Sequence, residues 1–231
     1  KLVPEGKGNA RHFTCGFHGW AFHADGKLAV VTDEGQFRDL DKNLLDLKPI
    51  ATEEWNGRVF MYFGAEPRPS LAEWMGKMHG EYDGYFEQHR MINARLVEVN
   101  CNWNLAINAF MEGYHTLYIH AKSVPDYQGG QSNPERHRPF MEMFERNIRY
   151  SAPSNPHHKE TPAETLAWQF GKRCLPAFDG NVEGMPVGIN PGRAKNWAFD
   201  VVQFYPNTVM ILGNSFHIEM TFWPVDEDNT D

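Results

Sequence analysis

The stretch 102–120, NWNLAINAFMEGYHTLYIH, constrains this chain more than any other. It sets Glu112 three residues before His115 and His120 five after it, inside an otherwise apolar and aromatic segment that belongs in an interior. Buried imidazoles need partners. Asn108, Phe110, Met111, Glu112 and His115 read as a helix, because Asn108/Glu112 and Glu112/His115 are i,i+4 and i,i+3 pairs that share a face. A further five-residue step rotates by roughly 140°, so His120 leaves that face. Both imidazoles converge on one point only if the helix ends, tightens or bulges between them. The H-E-x-x-H zinc helix differs, since its i,i+4 spacing puts both rings on one face. Two readings stay open from these residues alone. They are unrelated core histidines, or they are two neutral imidazoles that join a carboxylate from elsewhere in the facial triad of non-haem Fe(II), which leaves coordination positions open.

A chain of 231 residues can bury a sizeable core, as one large domain or a small one plus a larger one. Its 41% hydrophobic and 13% aromatic content supplies material for an apolar pocket. No apolar run of about eighteen residues exists and no charged-then-apolar leader opens the chain, so the expectation is a soluble, cytoplasmic protein without a membrane partner. Cys15, Cys101 and Cys174 are too few and scattered for a disulfide framework, which turns attention to a metal-bound thiolate. A net charge of −8 without clustered Lys/Arg excludes nucleic acid as a partner.

In CGFHGWAFHADGKL, Cys15 and His18 have C-x-x-H spacing on a tight Gly16/Gly19 loop, and Asp25-Gly26 suits a two-residue hairpin turn. A zinc site or an incidental pair is the competing reading. The run Cys15-Gly-Phe-His18-Gly-Trp20 followed by a D-G hairpin resembles the second half of a Rieske iron–sulfur motif. In such centres two cysteines hold one iron of a [2Fe–2S] cluster and two histidines the other. The resemblance implies that Cys15 and His18 are ligands, that Trp20 stands just behind them, and that the first half, C-x-H, falls upstream of Lys1, since only fourteen residues precede Cys15. His12 sits too close to Cys15 to replace it and reads as a surface or supporting histidine.

From 27 to 63, short apolar runs alternate with turns at Asp33-Glu34-Gly35 and Asn56-Gly57, the pattern of a small antiparallel β domain. Pro67-Arg68-Pro69 then punctuates the chain. The boundary is expected there, with domains at 1–66 and 67–231. A helix is predicted over 71–78 and a strand over 91–99. Beyond His120 come long loops (121–138, 151–160, 175–196), which in a compact domain are functional lids or disordered. His157 and His158 read as solvated loop residues. Thr161-Pro162-Ala163-Glu164 forms a capping box that starts a helix to about Arg173. In FHIEMTF, Phe216, Ile218, Met220 and Phe222 face one way and His217, Glu219 and Thr221 the other, a half-buried strand in a terminal meander.

The order of Rieske half-motif, N-W-x-L-A, then Asn108-(x)3-Glu112-(x)2-His115-(x)4-His120 resembles the α subunit of Rieske non-haem iron ring-hydroxylating oxygenases. The resemblance implies an α+β fold, with a small antiparallel β Rieske domain followed by a helix-grip catalytic domain built on an antiparallel sheet. His115 and His120 would hold the mononuclear Fe(II). Glu112, which stands where most members carry Asp, would bridge a histidine ligand to the Rieske histidine of a neighbouring subunit, and Asn108 would lie near the iron. The carboxylate ligand stays unassigned. Only 111 residues follow His120, Asp126 sits in a Pro/Gly loop, and the terminal acids read as a solvated turn, so that ligand is expected beyond residue 231 and the chain as a fragment cut at both ends. The implied activity is insertion of oxygen from O2 into an aromatic or other hydrophobic substrate. Electrons would come from NAD(P)H through a reductase or ferredoxin, and the assembly would be a homotrimer, with or without a β subunit. Two rivals remain. One is a Rieske-type electron carrier; the other is a monooxygenase or demethylase whose Tyr114, Tyr118 and Trp168 cage a quaternary ammonium.

Overall fold

The computed structural model describes residues 2, 8–121, 139–159, 161, 162, 165, 166, 169, 178–214 and 216–225. The chain divides into two compact units, Lys1–Arg68 and Pro69–Asp231.

In the first unit, β1 (His12–Thr14), β2 (Ala21–His23) and β3 (Leu28–Val30) form an antiparallel sheet. β4 (Ala51–Trp55) and β5 (Arg58–Tyr62) form a separate hairpin. The turns predicted from sequence close both. Gly26 has φ +87, and the His23 amide donates to the Lys27 carbonyl at 2.8 Å. Asn56 and Gly57 have φ of 50 and 77, the pair of left-handed residues that matches strand twist in a two-residue hairpin. Phe22, Leu28 and Val31 make a small core, with Trp20 and Leu40 against it.

In the second unit, α1 (Leu71–Met75) starts at Ser70, whose hydroxyl accepts from the Glu73 amide while the Glu73 carboxylate accepts from the Ser70 amide, a capping box. The predicted 71–78 helix is shorter than expected, because Gly76 at φ +58 leaves helical geometry and Gly76–Gly80 continues as a 3-10 turn. The predicted strand over 91–99 is not formed. Met91, Ile92 and Leu96 are about 80–90% exposed there, since a β-prone run makes a strand only when a ladder partner is present. Next come α2 (Trp103–Phe110) and α3 (Thr116–Ile119). A five-stranded antiparallel meander follows: β6 (Phe140–Met143), β7 (Ile148–Pro153), β8 (Trp197–Phe204), β9 (Thr208–Gly213) and β10 (His217–Thr221), in spatial order β10-β9-β8-β7-β6. Most of the helix predicted from Thr161, and the loop 122–138, lie outside the described residues.

Register sorts the sheet's side chains onto two unlike faces. Opposed pairs Tyr150/Val201, Ala152/Phe199, Ile148/Gln203, Val201/Ile211, Gln203/Val209, Ile218/Ile211 and Met220/Val209 share one face, and none of these side chains carries a formal charge. Helix α2 packs there, with Ile107 (0% exposed) and Met111 in one cluster with Tyr150, Ala152, Val201 and Val209. Burying such side chains stabilises by about 1.5–3 kcal/mol each. This sheet gripping a helix is the α+β architecture expected.

The opposite face holds the charges. Arg149, 1% exposed, donates to Glu81 at 2.5 Å and through Nε to Glu142 at 2.7 Å. Asp200, fully buried, accepts from the Ser151 hydroxyl, the Trp197 indole (2.8 Å) and the Asn190 amide (2.7 Å). Through Asn190 this carboxylate ties down the Pro/Gly-rich segment 178–196, of which Gly188, Ile189 and Asn190 are buried. Gly188 there donates to the Glu81 carbonyl at 2.7 Å. On the edge strand β10 the predicted alternation holds, yet Ile218 is 48% exposed while the His217 side chain, on the charged face, is 13% exposed.

Candidate metal centre

Helix α2 forms because Asn102 caps it: its side-chain oxygen accepts from the amides of Asn104 (2.9 Å) and Leu105 (3.4 Å). The helix ends at Phe110, five residues before the His115 end predicted for it. Met111 closes it with a 3.1 Å hydrogen bond to the Asn108 carbonyl, so Glu112 and His115 stand in the turn that follows. The reason lies in Glu112 itself. One carboxylate oxygen accepts from the amides of Tyr114 (2.6 Å) and His115 (3.2 Å), and the other accepts from His115 Nδ1. Those amides are held by a side chain and not by carbonyls of a continuing helix. Burial pushes the Glu112 carboxyl up, but the hydrogen bonds from His115 and the two amides outweigh it and leave it below its ordinary value.

A carboxylate can only accept, so Nδ1 of His115 carries the proton and Nε2 presents its lone pair. One turn, α3, then separates His115 from His120. It begins tightly, with the Tyr118 amide donating to the His115 carbonyl at 3.0 Å, and it brings the two rings to a centroid separation of 5.3 Å. Two imidazoles that share an ion at about 2.1 Å have centroids within about 6.5 Å of each other. The separation of the pair is within that limit, and Glu112 stands where the carboxylate that orients a metal-bound histidine would stand. Among the described residues, no group of three or more His, Cys, Asp and Glu is gathered closely enough to hold a metal. Asp200, a fully buried acid of this unit, lies on the sheet face away from α2.

Asn108 is exposed on the last turn of α2. Tyr114 and Tyr118 are each 88% exposed, which is not the enclosure a cation–π cage needs, and Trp168 lies outside the described residues. A residue that sequence reasoning missed is Tyr150, whose hydroxyl donates to the Phe110 carbonyl at 3.3 Å. The signal available was the I-R-Y-S-A alternation, which puts Tyr150 on the same strand face as Ile148 and Ala152.

In the first unit, Cys15 and His18 stand on the loop between β1 and β2. The Cys15 amide donates to the Trp20 carbonyl (2.7 Å) and the Gly19 amide to the Cys15 carbonyl (2.9 Å). Gly19 is required. Its φ is +75, and a Cβ there would meet the Thr32 hydroxyl at 2.8 Å, the group that donates to the His18 carbonyl. Amides of Phe17 and then His18 hydrogen-bond the Cys15 sulfur and hold its thiol below the ordinary value. A cysteine whose ionised form is favoured by two amides, three residues from an imidazole, has the donor chemistry an iron–sulfur cluster uses. Trp20 packs on the small core and meets Phe37 edge-on at 6.1 Å. His12 faces His23 across the strand pair at 4.7 Å.

Residues 71–231 match the family model described as the ring hydroxylating alpha subunit (catalytic domain). The chain is 32% identical over 139 residues to the large oxygenase component of the naphthalene 1,2-dioxygenase system of Pseudomonas aeruginosa, over 57% of this chain and 30% of that protein. It is 26% identical over 125 residues to the chloroplastic choline monooxygenase of Beta vulgaris, over 52% of this chain and 28% of that one. The crystal structure of a quaternary ammonium Rieske monooxygenase superposes with a TM-score of 0.69 at 17% identity, over all of this chain and 53% of the other, a likeness of fold. The chain thus spans about half the length of that solved relative. With the matched family model covering more than two thirds of its residues, the chain belongs to the ring hydroxylating alpha subunit family.

Proposed function

We propose that the protein is a terminal oxygenase component that inserts oxygen from O2 into an aromatic or other hydrophobic substrate. The observation that carries this reading is the Glu112–His115–His120 constellation at the end of α2. His115 and His120 would hold a mononuclear iron, and Cys15 and His18 one half of a [2Fe–2S] cluster. Bound there, these groups supply O2 activation and electrons respectively.

The chain's own residues do the rest. Glu112 keeps the proton on His115 Nδ1 and fixes the ring so that Nε2 faces outward. Its carboxylate has about four lone-pair sites and accepts three donors, which leaves capacity for one more, such as an imidazole N–H from a neighbouring copy in a trimer. The charge-free sheet face on which α2 packs supplies apolar side chains suited to an apolar substrate. A ferredoxin or reductase partner supplies the electrons, drawn ultimately from NAD(P)H. Oxygenation beside a quaternary ammonium is the second reading, supported by the choline monooxygenase relative, and product analysis separates the two.

Iron and acid-labile sulfide analysis, with EPR of the dithionite-reduced protein, tests the proposal. A reduced Rieske signal plus about one further iron per chain, lost when His115 and His120 are changed to Ala, is the expected result. A cluster without a second iron would leave an electron carrier, and zinc without sulfide would remove the Rieske reading.

A further inference from the structure

We propose that Tyr150 is a positioning residue for the Glu112–His115 pair: its hydroxyl pins the end of α2 to strand β7 and so sets where His115 presents Nε2. The inference rests on the reading of His115 and His120 as metal ligands. The carbonyls of a helix's last turn have no partner within the helix, and the Phe110 carbonyl takes the Tyr150 hydroxyl at 3.3 Å. The next residue, Met111, is 8% exposed and packed in the same cluster as Tyr150. The one after it is Glu112, which holds both the His115 ring and the His115 amide. Position therefore passes from the sheet to the imidazole through three consecutive residues, anchored twice by one tyrosine. Burial, and then the charge of Glu112, push the Tyr150 phenol up to about 12, so it remains a donor at ordinary pH. The residues beside it on this face of the sheet, Ile148, Ala152 and Val201, are apolar and offer no such anchor.

The test compares Tyr150→Phe, which keeps the ring and its packing, with Tyr85→Phe. Tyr85 likewise donates a hydroxyl to a carbonyl, that of Gly213 at 3.1 Å, but its segment packs Tyr82 and Phe86 against Phe204 and His217 on the sheet's other face. The mononuclear metal is removed by chelation and Co(II) is added back as the probe. Its Kd is read by equilibrium dialysis and its coordination by EPR with the cluster oxidised. Both variants should lower Tm by about 2–4 °C. Only Tyr150→Phe should weaken Co(II) binding, by about tenfold, the low end of what a ligand's supporting residue contributes, and alter the Co(II) spectrum. Unchanged affinity and spectrum in Tyr150→Phe, or an equal change in Tyr85→Phe, would overturn the positioning role while leaving the metal site standing. Full Co(II) binding after His115 and His120 are both changed to Ala would overturn the site itself, and the role with it.

Discussion

Glu112 holds His115 twice, by the ring and by the backbone amide, within a single turn that contains Gly113. The His115 ring is thereby oriented by its own chain. Changing Glu112 to Gln keeps an oxygen for the amides but removes the charge that favours a proton on Nδ1. The expected outcome is retention of both iron and sulfide with turnover reduced at least about tenfold, measured as the rate of cluster reoxidation in a single turnover. Turnover equal to wild type would deny Glu112 any part in the electron path.

Asp200 supplies a pH dependence. Burial raises its carboxyl from 3.8 to about 6, against the pull of the Ser151, Asn190 and Trp197 donors. The folded state therefore binds more protons than the unfolded state between those values. This group's contribution is fully present below pH 3.8 and is lost as pH rises through about 6. Asp200→Asn lacks that titration, so its stability relative to wild type should rise across the window by about 3 kcal/mol, whatever its offset. Urea denaturation at half-unit pH intervals checks the slope.

Arg149 serves two carboxylates from a site that is 1% exposed, and Glu81 beside it is also buried. Arg149→Met should cost about 3 kcal/mol, the low end for breaking a buried pair, because Glu81 and Glu142 keep only the half-exposed Lys77 at 3.3 and 3.5 Å. Arg149→Lys should recover little of this, since an ammonium cannot reproduce the guanidinium's separate bonds to Glu81 and Glu142. Chemical denaturation of the pair of variants distinguishes charge from geometry.

Gly188 gives a steric prediction. A Cβ there would lie 2.8 Å from the Tyr82 ring and 2.9 Å from the Glu81 carbonyl. Gly188→Ala should therefore destabilise by about 1–3 kcal/mol through overpacking, seen as a lower Tm with iron content of the folded protein unchanged.

Local features were legible in the sequence and non-local ones were not. The Asp25-Gly26 and Asn56-Gly57 turns were readable because their left-handed backbone restricts which residues fit. The C-x-x-H loop and the need for a break around the histidines were readable from spacing alone. The position of that break was not, because Glu112 capping the amides of the next turn has the same three-residue spacing as a helical pair. The run 91–99 carries β-forming residues, but a strand depends on a partner strand that a local pattern cannot supply. The segment 178–196 was rich in Pro and Gly and so read as a loop, while what fixes it, the bond from Asn190 to Asp200, joins residues whose pairing depends on β8. Tyr150 was hidden for the same reason: its hydroxyl meets a carbonyl forty residues earlier in the chain.

The division of the sheet into a neutral face and a charged face has an evolutionary consequence. Residues such as Phe199, Val201, Ile211 and Met220 can be exchanged for larger or smaller apolar ones without breaking an ion pair, because the bonds of Arg149 and Asp200 lie behind the sheet. Volume under α2 can drift while the framework that carries the histidines stays in place. In a lineage built on this sheet, a change of volume there is weighed against packing alone and leaves the charged framework intact.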